Sequence, residues 1–212
     1  MKFECNQQLL SKALNIVSKA VTSRTTIPIL KGILLKIDNE GFLTMSASDL
    51  DLAIENKIKV ESSEEGSIVV LSKLFVDIIR KLPNEIISIE QEENNIIIKC
   101  KSSEFSIVGL SADEFPNLNL LEENNDYIEF EKEMFKNMIR KTSFSERIDE
   151  SKGIITGLLI EMEEDSINMV AIDGYRMAIA REKKKNSKTQ NIIISAKILN
   201  EISKILTEID TE

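Results

Sequence analysis

Asp49 and Asp51 are residues whose type and spacing could do chemistry. Alternate residues of an extended segment point to one side, and two carboxylates there could hold a magnesium ion that acts on a phosphoester. Little else in the chain would help them. The 212 residues include no histidine, which removes Ser-His-Asp and Cys-His nucleophile chemistry and most zinc sites. The two cysteines, Cys5 and Cys100, are far apart and lack a CxxC partner, so both are expected to be buried, reduced and apolar in behaviour. Neither G-x-x-x-x-G-K-S/T nor G-x-G-x-x-G occurs, and seven glycines leave little for a loop that cradles phosphate. No organic cofactor is expected.

Composition sets the frame for these residues. A chain with 42% hydrophobic and 30% charged residues reads as soluble and globular, with room for one large domain or two ordinary ones. No apolar run approaches the roughly 18 to 20 residues that cross a bilayer. The start, Met1-Lys-Phe-Glu-Cys-Asn6, lacks the cationic lead and apolar stretch of a secretory signal, so the expected compartment is the cytoplasm. The formal charge of −9 argues against nucleic acid until the positions of the charges are considered.

The elements that would position any site emerge from an internal repeat. Ile29–Ile37 resembles Ile154–Met162, with Gly157 standing 125 residues after Gly32. Leu43–Ile54 resembles Ile167–Ile179, with Asp173 standing 124 residues after Asp49. Ser67–Ser72 resembles Asn191–Ser195 in the same order. The chain therefore holds two copies of one plan: residues 1–120, a polar link at 121–126 within the Asn- and Glu-rich stretch Pro116–Asp126, and residues 127–212. A scaffold feature that recurs, such as Asp49 with Asp173, reads more readily as a turn device than as a catalytic group, while Asp51 has no repeat partner.

In the first copy a short strand with Phe3 and Cys5 leads to Asn6, a cap for a helix over Gln7–Val21. Strands are predicted at about Leu30–Asp38, Phe42–Ser48, Leu52–Glu61 and Gly66–Leu71. A helix capped by Ser72 and stopped by Pro83 comes next, then strands at about Ile86–Glu90, Ile96–Cys100 and Glu104–Gly109. The second copy starts at Tyr127–Phe130 and has helices at about Lys132–Thr142 and Ala196–Leu206. It lacks the last three strands of its twin. Helices separated by runs of antiparallel strands make the fold class α+β.

Sorting the charges by element changes the meaning of the acidic total. The outward side of the first helix carries Lys12 and Lys19; that of the second carries Lys73, Arg80 and Lys81 against Asp77. The third carries Lys132, Lys136, Arg140 and Lys141 against Glu133, and the fourth Lys197 and Lys204 against Glu201. Acids gather instead at 61–65, 90–93, 122–126 and 161–165. Lysine is a good helix former and also simply solubilises a surface. One bias on four helices, in a chain of opposite net sign, points rather to a non-specific polyanion-facing surface suited to phosphate backbones.

Particular residues then carry a resemblance. Arg24-Thr-Thr-Ile-Pro-Ile-Leu-Lys-Gly32, Phe105-Ser-Ile-Val-Gly-Leu-Ser-Ala-Asp-Glu-Phe-Pro-Asn-Leu118 and Ala171-Ile-Asp-Gly-Tyr-Arg-Met-Ala178 resemble the family of bacterial DNA polymerase III beta subunits, the sliding clamps. The resemblance runs the length of the chain. It implies a DNA-clamp fold of three similar domains, with sheets outside and helices lining a head-to-tail dimeric ring around duplex DNA. It implies a non-catalytic role as a processivity factor in DNA replication, near the nucleoid. The chain would correspond to the first domain and most of the second, with the third absent, so ring closure as a homodimer is not expected of it alone.

The same resemblance implies site residues. Arg24, in the loop after the first helix, would approach DNA, and the matching loop of the second copy offers Arg147 and Lys152. Asp149, where some relatives carry an uncharged DNA-contacting residue, does not inherit that role, and Lys152-Gly153 departs from a common Arg-Pro. Ile155, Ile172, Gly174, Tyr175, Arg176 and Met177 would form one wall of the pocket that takes peptide tails of the replicative polymerase and clamp loader. An aromatic, an arginine and a methionine together suit an adaptable peptide surface. Two other readings remain open: a magnesium-dependent phosphoesterase using Asp49 and Asp51, and a peptide-binding scaffold with no DNA role.

Overall fold

The side chain of Asn6 ends the first strand and starts the first helix. Its Oδ1 accepts hydrogen bonds from the backbone N–H of Gln8 (2.9 Å) and Leu9 (3.4 Å), satisfying donors that a helix start leaves orphaned. This computed structural model describes residues 1–22, 25–118, 128–146, 157–186 and 188–209. The described residues fall into two compact units, unit 1 within Met1–Leu121 and unit 2 within Glu122–Glu212.

Unit 1 runs β1 (Lys2–Asn6), α1 (Gln7–Val17), β2 (Gly32–Ile37), β3 (Phe42–Ser48), β4 (Ala53–Lys59), β5 (Glu61–Glu64), β6 (Gly66–Leu71), α2 (Ser72–Lys81), β7 (Ile86–Glu92), β8 (Asn95–Cys100) and β9 (Ser103–Leu110). All pairings are antiparallel, in the order β4-β3-β2-β6-β9-β8-β7-β1-β5. Only Val60 separates β4 from β5, so one bent strand supplies both ends of that order and closes it. Leu10, Leu14 and Val17 of α1 and Phe75 and Ile79 of α2 share one core with inward residues of both halves of the sheet, among them Leu35, Leu43, Ile89 and Ile98. Gln7 Nε2 ties the start of α1 to the end of α2 through the carbonyl of Ile79 at 2.8 Å.

A smaller symmetry sits inside this unit. Strand, helix and three strands (β1-α1-β2-β3-β4) are followed by strand, helix and three strands (β6-α2-β7-β8-β9). The far face of the sheet has its own cover, where Phe115 of the Asp-Glu-Phe-Pro stretch packs with Ile29, Leu30 and Val69. Both cysteines are free and buried, and burial pushes the Cys5 thiol up to about 12.

Unit 2 contains α3 (Lys132–Thr142), β10 (Leu158–Met162), β11 (Ser166–Ile172), β12 (Met177–Lys183), β13 (Gln190–Ile194) and α4 (Ala196–Glu208), with sheet order β12-β11-β10-β13. That order repeats β4-β3-β2-β6 of unit 1. Met138, Ile139 and Leu199 bury the helices against Ile160, Ile167 and Met169. The repeated glycines have one steric cause: a Cβ on Gly32 would lie 2.4 Å from Val69 Cγ1, and one on Gly157 would lie 2.6 Å from Ile193 Cγ2.

Several local expectations shift. α1 stops at Val17 and tightens into a 3₁₀ turn, Ser18–Ala20, so Lys19 lies on that turn rather than on the helix. Leu71, without a capping side chain, precedes α2, and Ser72 is buried as its first residue. The strand foreseen over Leu52–Glu61 bends at Val60 and becomes two. A 3₁₀ turn at Pro28–Lys31 delays β2 to Gly32.

Leu50 holds φ at +77°, a left-handed conformation unfavourable for a leucine, where the second copy has Gly174 at +92°. Its side chain is 64% exposed, so little packing is lost on truncation. Leu50→Gly should therefore stabilise the protein by roughly 0.5 to 1 kcal/mol, net of the added freedom of the unfolded chain, whereas Leu50→Ala should not. Thermal unfolding of the two variants beside the parent measures this.

Candidate functional site

The helices present a basic side because their opposite side is committed to the core. On α2, Phe75 and Ile79 are buried while Lys73, Arg80 and Lys81 are exposed. On α3, Met138 and Ile139 are buried; Arg140 and Lys141 are exposed and Lys136 is partly covered. Lys12 of α1 and Lys197 and Lys204 of α4 are likewise exposed. Between α3 and α4 lies a polar groove of about 620 Å³ lined by Lys136, Asn137, Arg140, Asn200, Ser203 and Lys204, among others. Lysine and arginine with amide and hydroxyl neighbours are the groups that receive phosphate oxygens.

These cations differ in their surroundings. Arg80 pairs with Asp77 at 2.7 Å, Lys136 with Glu133 at 2.9 Å and Lys204 with Glu201 at 2.6 Å. Lys141 lies 3.7 Å from Glu182 of β12, and Arg140 donates to Asn137 Oδ1 at 3.2 Å. Arg24, Arg147 and Lys152 fall outside the described residues.

A second candidate surface sits on the β11–β12 hairpin. Asp173 Oδ1 accepts from the backbone N–H of Tyr175 (2.9 Å) and Arg176 (3.0 Å), while Oδ2 accepts from Arg176 Nε (2.6 Å). The Tyr175 N–H, then the Arg176 side chain, hold the Asp173 carboxyl below its ordinary value. The turn thus fixed leaves Tyr175 98% exposed, with Met177 at 58% and Ile172 at 39% beside it. Ile155 of the expected wall falls outside the described residues.

The sequence did not point to Phe144. Its ring lies under the Arg176 guanidinium at 5.7 Å, and its carbonyl accepts from Arg176 Nη2 at 3.2 Å. Nor did it point to a row across the sheet, Ile179–Val170–Leu159–Ile193, in register from β12 to β13, with Ile179 and Ile193 exposed. Alternation of Met177 with Ile179 and pairing of repeat strands could have found the row; the Phe144 contact, 32 residues distant in sequence, had no local signature.

Asp49 makes the same turn as its partner. Its Oδ1 accepts from the N–H of Asp51 (3.2 Å) and Leu52 (2.8 Å), so the carboxylate is engaged in shaping the β3–β4 hairpin. Among the described residues, no group of three or more His, Cys, Asp or Glu side chains is placed to hold a metal ion. Among them too, no helix is long and apolar enough to cross a membrane.

Two repeats of one antiparallel sheet, each covered by helices with a basic outer side, define the class of sliding-clamp folds. Solved structures share it: the DNA polymerase sliding clamp of Bacillus subtilis (TM-score 0.90, 35% identity, 97% of this chain and 56% of that one) and a putative DNA polymerase III beta subunit of Eubacterium rectale (0.92, 35%, 100% and 58%). The family model for the DNA polymerase III beta subunit N-terminal domain matches residues 1–119, and that for its central domain matches residues 129–212. The chain belongs to the DNA polymerase III beta subunit family. It is 38% identical to the beta sliding clamp of Halalkalibacterium halodurans and 35% identical to that of B. subtilis, with 98% of this chain aligned in each case. It spans 58% and 57% of the length of those two relatives.

Because the folded value of Asp173 is lowered, its contribution to stability is complete above the unfolded carboxylate range, near pH 4, and is lost as pH falls through the folded value. Asp173→Asn should lower the unfolding temperature of the hairpin-bearing unit by a constant amount between pH 5 and 8. The gap should close in more acidic buffer, as monitored by thermal scans from pH 7 to 3.

Proposed function

We propose that the chain supplies the first two repeats of a sliding clamp, a non-catalytic processivity factor that encircles duplex DNA and tethers the replicative polymerase to it. This reading rests on the placement of Lys12, Lys73, Arg80, Lys81, Lys136, Arg140, Lys141, Lys197 and Lys204 on helices whose other sides are core, in a chain of net charge −9. A surface of this kind meets phosphates without reading bases, and the acidic remainder of the chain limits static binding. Lys19 on the 3₁₀ turn and Arg24, Arg147 and Lys152 in the loops would add contacts.

Under the same proposal, Ile155, Ile172, Gly174, Tyr175, Arg176 and Met177, now joined by Phe144, form one wall of a docking surface for peptide tails of the polymerase and clamp loader. The exposure of Tyr175 and Met177 on a rigid turn supports this, since large pre-placed side chains give contact area at low ordering cost. Clamp function would place the protein in the cytoplasm, on the nucleoid, as part of a head-to-tail ring. The turn role of Asp49 weighs against the phosphoesterase alternative, which metal-dependent turnover abolished by Asp49→Asn would revive.

The test is charge reversal. Lys136→Glu, Arg140→Glu and Lys141→Glu together should weaken association with a short linear duplex at low salt and flatten the slope of log K against log salt by about 1 to 3. Fluorescence anisotropy over a salt series measures both. Unchanged binding would favour a peptide scaffold with no DNA role.

A further inference from the structure

Two sets stand out among the helix cations, beside Lys141, which reaches Glu182 of β12, and Arg140, which meets Asn137. Arg80, Lys136 and Lys204 each meet a carboxylate three residues earlier on the same helix, at 2.7, 2.9 and 2.6 Å. Lys12, Lys73 and Lys81 meet no carboxylate within ion-pair distance among the described residues. The pairing therefore recurs on α2, α3 and α4, across both units, in one acid-before-base order. We infer that Asp77, Glu133 and Glu201 are attenuators of DNA binding: each occupies the cation that a phosphate would otherwise take, so that the helix face holds DNA loosely. This rests on the DNA-facing reading of those helices.

Three physical points carry it. A cation already neutralised within the protein releases fewer counterions from DNA when it meets a phosphate, so it adds less to affinity and to the salt slope than a bare one. Pairs three residues apart on a helix are weak, and each of these keeps at least one exposed member, so a passing phosphate can displace the carboxylate and be displaced in turn. The Glu133 pair is a real coupling: the Lys136 hydrogen bond is the chief cause that holds the Glu133 carboxyl below its ordinary value. A uniformly bare lysine face would grip the duplex more tightly. The interleaved acids lower that grip without removing the cations.

Pairs in this order also favour helix formation, so the readout has to separate binding from stability. The 212-residue protein carrying Asp77→Asn, Glu133→Gln and Glu201→Gln is compared with a control carrying Glu61→Gln, Glu92→Gln and Glu164→Gln, exposed acids off the helices that give the same change in net charge. The probe is a short linear duplex of random sequence in a salt series, and far-UV thermal scans establish that both variants are folded. The helix variant should bind about fivefold more tightly at low salt than the control, with a salt slope steeper by about 1 to 2. Equal shifts in the two variants, or none in either, would overturn the attenuator role. The charge-reversal variant of Lys136, Arg140 and Lys141 runs beside them. If it loses binding while the helix variant matches its control, the DNA-facing reading stands and only this inference falls; if it binds like the parent, both fall.

Discussion

Each helix has one apolar stripe, and the inner face of a sheet is the only surface that can take it. Most of the molecule's surface chemistry is set by this constraint. Once Leu10, Leu14 and Val17, or Phe75 and Ile79, or Met138 and Ile139, are turned inward, the rotation of the helix about its axis is settled. Lys12, Lys73, Arg80 and Arg140 then face solvent with no further instruction. The basic surfaces are thus a by-product of hydrophobic burial, positioned by packing and not by any contact of their own. Asp77, Glu133 and Glu201 share those helices, whereas other acids fall on other element types: Glu61–Glu64 form a strand and Glu163–Asp165 a turn.

Much of this was legible in the sequence, and the parts that were not share a cause. The helix predicted at about Lys132–Thr142 has the bounds of α3, and Asn6 was a sound cap because the amide needs only two neighbouring N–H groups. Asp49 could be separated from catalysis because Asp173 recurred, and both carboxylates prove to accept hydrogen bonds from the N–H groups two and three residues on. Ser72 misled: a serine before an apolar run resembles a cap, yet it is buried inside the helix and Leu71 holds the capping position. The bend at Val60 and the half-repeat within unit 1 left no trace in residue type, because each is a matter of which strand pairs with which. Long-range pairing decides such features, and the sequence pattern of a single strand does not contain its partner.

The two hairpin turns show how one device serves two ends. In each, an aspartate gathers successive N–H groups and closes the loop with its own N–H on a carbonyl, Asp49 to Leu52 at 3.1 Å and Asp173 to Arg176 at 3.2 Å. After Asp49 come Leu50 and Asp51; after Asp173 come Gly174, Tyr175 and an arginine that folds back on the same carboxylate. The shared backbone geometry holds different side chains in corresponding places. A turn repeated for structural reasons is a ready mount for chemistry that only one copy displays, and Phe144 under Arg176 gives the second copy an aromatic base that derives from no repeat.

The bent strand through Val60 has a mechanical consequence. In an open sheet the outermost strand can peel first, because only one ladder holds it. In unit 1, β4 is held by β3 and β5 by β1, and the two are one continuous stretch of chain anchored at the bend by the Val60 N–H on the Gly41 carbonyl at 3.0 Å. Fraying of either half works against the other. The unit resembles a hoop of strands under its helices, and a hoop resists being opened at any single point along its rim.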